Sequence, residues 1–185
     1  MGENLTIEDL FKLNEKYLDD EEFSVDGIDN DNFEEYYFDR CCKFFDADYE
    51  QVKKLVGKCF MRADGKLMLK IIGVRDDVDN KYWNSCRYWE AFIYEEIYKY
   101  TDGKWYFDDY HNLQESYNDN LAKFRFTPYC DMNTASEEMY HIGKDNCLYV
   151  DYGCDGNYEK FVEVNSAQFD EAREEAVKEF EEELK

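Results

Sequence analysis

Five aspartates stand where strand ends would bring them together, Asp76, Asp77 and Asp79 in one cluster and Asp108 and Asp109 in another. Convergent carboxylates hold Mg2+ or Ca2+ through oxygen ligands, which is the route to a metal-dependent enzyme. The plainer reading is that aspartates collect in turns beside strands, where their side chains bond neighbouring backbone. A calcium-hand loop is not formed, because in Asp26-Gly27-Ile28-Asp29-Asn30-Asp31 the glycine stands second and no bidentate glutamate follows in place. His111 and His141 each have the chemistry of a general base, but they stand far apart. The seven cysteines (41, 42, 59, 86, 130, 147 and 154) include no CxxC pair, so a structural zinc site is not expected. Without an export signal they are expected to be free thiols in a reducing compartment. There is no GxSxG and no glycine-rich phosphate loop among nine glycines. The expectation is therefore a protein without a cofactor and without catalytic residues.

The stretch that must position these groups is 87–109. Residues 88–100 alternate in two rows, Trp89, Ala91, Ile93, Glu95 and Ile97 on one side and Tyr88, Glu90, Phe92, Tyr94, Glu96, Tyr98 and Tyr100 on the other. Asp102-Gly103 then precedes Trp105, Tyr106 and Phe107, and an Asp-Gly pair between strand-prone runs is a hairpin signal. Trp89, Phe92, Ile93 and Ile97 also fit helical spacing, but the tyrosine density and the turn favour a hairpin at the centre of a sheet.

Around it, Thr6 with Asp9 predicts a capped helix over 7–18, whose inner face is Ile7, Leu10, Phe11, Asn14, Tyr17 and Leu18. Residues 19–32 read as an acidic loop. Phe33, Tyr36, Tyr37, Cys41, Phe44 and Phe45 form the stripe of a helix over 33–45, making Cys41 a core thiol. Asp48 with Gln51 opens a third helix, 49–60, with Lys53, Lys54 and Lys58 on its wet side. Strands are expected over 67–74, 123–127, 146–152 and 158–164, with a helical turn at 136–140, and Asn165 with Gln168 opens a last helix over 168–183. The result is an α+β fold, an antiparallel sheet of about five to six strands with N-terminal helices and one C-terminal helix. It forms a single domain over 1–185, with a helical part over 1–62, a β-rich part over 66–164 and the last helix over 166–185.

Composition fixes the electrostatics. The chain of 185 residues is 44% hydrophobic and 18% aromatic, enough for a core, yet its net charge is −23. Such a field repels nucleic acid and anionic membrane and attracts basic protein surfaces. It is uneven: residues 1–50 carry −13, whereas residues 51–70 carry +5 through Lys53, Lys54, Lys58, Arg62, Lys66 and Lys70 against Asp64. These cations are expected to pair with the chain's own acidic loop rather than with phosphates. No apolar run has membrane-spanning length, and the start MGENLT, though it matches a myristoylation pattern, has no basic patch beside it.

The runs DDEE (19–22) and DNDNFEE (29–35), with the tyrosine-rich hairpin, make the chain similar to phage-encoded anti-CRISPR and anti-restriction inhibitors, many of which are small acidic nucleic-acid mimics. That resemblance is one of size, charge and acidic runs. It implies a cytoplasmic inhibitor that binds a basic nucleic-acid-handling protein, a Cas nuclease first among candidates, and blocks its access to DNA or RNA. Closely spaced carboxylates present to a basic groove what a phosphate backbone presents. Contact is expected through Asp19, Asp20, Glu21, Glu22, Asp26, Asp29, Asp31, Glu34 and Glu35. The alternatives are an immunity or antitoxin protein that covers a basic nuclease toxin, and the metal-dependent enzyme of the aspartate clusters.

Overall fold

The computed structural model describes residues 5–76, 89–99, 102–107, 139–151, 156–183 and 185. The fold is α+β: among the described residues, helices α1 (Ile7–Asp19), α2 (Phe33–Phe45) and the short α3 (Tyr49–Lys53) come first, strands follow, and α4 (Ser166–Glu183) comes last. A two-stranded ladder, β1 (Ser24–Val25) with β2 (Ile28–Asp29), lies between α1 and α2.

The remaining strands form one antiparallel ladder that closes on itself. β3 (Cys59–Arg62) pairs with β4 (Leu67–Asp76), and β4 with β5 (Trp89–Lys99). β5 meets β7 (Met139–Ile142) at Glu90 opposite His141, β7 pairs with β8 (Leu148–Asp151), β8 with β9 (Tyr158–Val164), and β9 returns to β3. The seventh strand, β6 (Trp105–Phe107), folds back on the far end of β5 across the Asp102-Gly103 turn, placing Lys99 opposite Trp105. Gly103 has φ +87°, the left-handed backbone that this turn demands and glycine adopts without strain. β4 carries register shifts against β5 between Leu69 and Ile71 and between Ile71 and Gly73. Each such bulge bends a strand and sharpens its twist, which is how a small sheet curls into a ring.

Alternation along the strands divides the apolar residues into three bodies. Phe60, Leu67, Leu69, Ile71, Ile142, Leu148, Val150 and Phe161 are all 0% exposed and fill the ring interior, joined by Val52 and Leu55. Their neighbours point outward. Tyr149 and Tyr158 lie under α1 and α2, against Phe11, Phe45 and the aromatic rings between those helices. Cys59, Met68 and Phe107 lie under α4, which covers them with Phe169, Ala172, Ala176 and Phe180. The ring is thus filled within and helix-covered on two outer faces.

Two expectations are corrected. The third helix ends at Lys53 rather than at residue 60. Val52, Leu55, Cys59 and Phe60 mimic a helical stripe, but Cys59 faces α4 while Phe60 faces the ring interior, a period of two. The Gly57 N–H donates to the Ile71 carbonyl at 2.8 Å and the Ile71 N–H to the Lys58 carbonyl at 3.0 Å, so the ladder with β4 takes over there. Consequently residues 1–62 are not wholly helical, because β3 belongs to the ring. Of the helical turn expected at 136–140, Met139 and Tyr140 belong instead to β7, and residues 136–138 lie outside the described residues. The expected antiparallel sheet is present; among the described residues it comprises seven strands, and the β4–β5 pairing closes it. The strand expected at 123–127 and the turn after Asp76 lie outside the described residues.

Candidate acidic interface

Residues 19–35 hold nine acidic side chains and no basic one. The structure turns this stretch into a scaffold rather than a loop. α1 starts on the Thr6 capping box, with the Asp9 N–H donating to Thr6 Oγ1 at 3.1 Å and the Thr6 N–H donating to Asp9 Oδ2 at 3.2 Å. It runs to Asp19, and the chain then reverses into β1. Asp26 (φ 51°) and Gly27 (φ 85°) are successive left-handed residues at the β1–β2 turn, the conformation that joins two antiparallel strands most tightly. Side chains and backbone brace the rest: Asn30 Nδ2 donates to the Glu21 carbonyl at 2.6 Å, and the Asp29 N–H to Asn32 Oδ1 at 3.1 Å. Asp20 accepts from the Glu22 N–H at 3.1 Å and Asp29 from the Asp31 N–H at 3.2 Å, which keeps both carboxylates close to the surface they start from.

Aromatic rings anchor the scaffold from below. Phe23 (1% exposed) and Phe33 (0%) meet edge to face at 4.9 Å, Tyr17 stacks on Phe33 at 4.3 Å, and Phe33 stacks on Tyr37 at 5.6 Å. Burying a phenylalanine contributes roughly 2–3 kcal/mol, so two of them hold a stretch that its own like charges would spread apart. All nine predicted contact residues, Asp19, Asp20, Glu21, Glu22, Asp26, Asp29, Asp31, Glu34 and Glu35, are exposed on the end of α1, the β1–β2 hairpin and the first turn of α2. Glu34 and Glu35 sit where the α2 dipole favours negative charge, and Glu34 accepts from the Tyr17 hydroxyl at 3.2 Å. Among the described residues no cation pairs with Asp19, Glu21, Glu22, Asp31 or Glu35.

The basic segment does not neutralise this wall, contrary to expectation. Lys58 pairs with Glu163 at 2.6 Å, Arg62 with Asp64 at 2.8 Å and Glu159 at 2.9 Å, and Lys53 with Glu50 at 3.8 Å. Ladder register explains the choice: β3 lies beside β9, so Arg62 and Lys58 meet the glutamates of β9, not residues 19–35.

No family model, curated protein or solved structure matches this chain.

The other chemical candidates take structural places. His141 is buried on β7, stacked on Phe45 at 4.9 Å and edge-on to Tyr158 at 5.4 Å; burial pushes its pKa down to about 3, so it is a neutral core ring and not a solvent-facing base. His111, Asp77, Asp79, Asp108 and Asp109 lie outside the described residues, and among the described residues no group of three metal-ligating side chains converges. Cys41 is a buried free thiol on α2, and burial pushes its pKa up to about 12, which suits a core residue and not a nucleophile. Cys59 and Cys147 are also free, but Cys42 is disulfide-bonded, against the expectation that all seven are thiols.

Sequence reading missed one charged cluster altogether. Lys160 Nζ reaches Glu8 Oε1 at 2.7 Å and Asp145 Oδ2 at 3.0 Å, and Asp145 also accepts from the buried Tyr149 hydroxyl at 2.8 Å. Burial alone would lower the Lys160 pKa; the bonds from Lys160 to Glu8 and Asp145 outweigh it and hold the amine above the ordinary lysine value. Tyr149 and Lys160 stand opposite each other on β8 and β9, so a correct hairpin register would have disclosed that half of the cluster. Its role is to fasten α1, through Glu8, to the outer face of the ring.

Proposed function

We propose that the chain is an acidic inhibitor: it binds the nucleic-acid-binding surface of a basic protein and blocks access to DNA or RNA, with a CRISPR–Cas effector in a bacterial cytoplasm as the first candidate. One observation supports this reading above the rest. Nine exposed carboxylates, unrelieved by any basic residue between positions 19 and 35, stand on a hairpin and two helix ends braced by buried aromatics. A braced array of charge loses little freedom on binding, which is what separates a recognition surface from a solubilising tail. The charge steers a basic groove toward the wall and makes the complex sensitive to salt.

Affinity capture from bacterial lysate, at low and at moderate salt, followed by mass spectrometry, tests the reading. Recovery of a basic nucleic-acid-handling protein that is released as salt rises and that no longer binds DNA or RNA when captured supports it. Recovery of a nuclease toxin would make the chain an immunity protein instead, and capture of partners that are neither basic nor nucleic-acid-binding would overturn both.

A further inference from the structure

We draw no further inference here: the strongest candidate, the Lys160–Glu8–Asp145–Tyr149 side-chain cluster where α1 meets the outer face of the ring, has its charges satisfied by one another, and nothing in the structure points to a ligand that would replace any of them.

Discussion

Tyr17 at the end of α1 lies nearly parallel to Phe33 at the start of α2, ring centroids 4.3 Å apart. The two rings close the neck of the acidic segment, so the fifteen residues between them, seven of them acidic, begin and end at a single stacked pair. Removing Phe33 attacks the neck without touching any charge. Phe33→Ala should cost about 3–5 kcal/mol, the usual range for a buried aromatic truncated to alanine. It should also expose the β1–β2 amides to hydrogen exchange. An unchanged exchange pattern across residues 20–32 would mean that the hairpin does not depend on its neck.

Neutralising the wall should do the opposite. Replacing Asp19, Glu21, Glu22 and Asp31 by Asn and Gln should leave the melting temperature near wild type, since exposed charges away from packing change stability by no more than about 0.5 kcal/mol each. Binding to the captured basic partner should weaken about tenfold or more, with a shallower dependence on salt. Equal affinity at both salts would show that this face is not the contact surface.

His141 makes the fold acid-sensitive. Its folded pKa, about 3, lies below the ordinary 6.5, so the unfolded chain takes up the proton first. Stability is complete above that ordinary value and falls as pH drops toward the folded one, by about 1.4 kcal/mol at most per pH unit. His141→Phe keeps a ring against Phe45 and removes the proton site. Its melting temperature should fall less between about pH 7 and about pH 5 than that of the wild type. Equal losses would assign the acid sensitivity to other groups.

Lys160 should behave as a fastener. The Glu8 carboxyl is held below its usual range, chiefly by the bond from Lys160, so this contribution is present near neutrality and lost as pH falls below the ordinary carboxylate value. Both groups are more than a quarter exposed, which keeps the coupling modest. A double-mutant cycle of Glu8→Gln and Lys160→Met should return a coupling of about 1 kcal/mol near pH 7 and almost none near pH 3. A coupling that does not change with pH would exclude the ion pair.

The thiol inventory is a direct count. With Cys42 in a disulfide, the denatured, non-reduced chain should titrate at most five thiols of its seven cysteines. Seven would show that the bond does not persist in solution.

The helices with strong caps and continuous stripes were legible in the sequence: Thr6 with Asp9 fixes the start of α1, and the Phe33–Phe45 stripe gives α2 to the residue. So were the Asp102-Gly103 hairpin and the β8–β9 pair, where turn chemistry and alternation agree. Cys59 and Phe60 were misread because two adjacent apolar residues satisfy helical and strand periods alike, and only partners from β4 and β9 decide between them. The acidic positions were plain from composition. Their rigidity was not, because it comes from Phe23, an isolated aromatic within a charged run that shows no periodicity. The Lys160 cluster was invisible for a different reason: its members are distributed over positions 8, 145, 149 and 160.

Closure of the ladder has a consequence for how the molecule comes into being. β3, near residue 60, has β9, near residue 160, as its second neighbour, and the outer face that seats α1 and α2 is built from β8 and β9. Contacts so distant in sequence must meet the cost of closing long loops before they return any stability, which makes folding slow. During synthesis the N-terminal helices therefore leave the ribosome long before their docking surface exists. Through that interval the net negative charge of the early segments favours solubility.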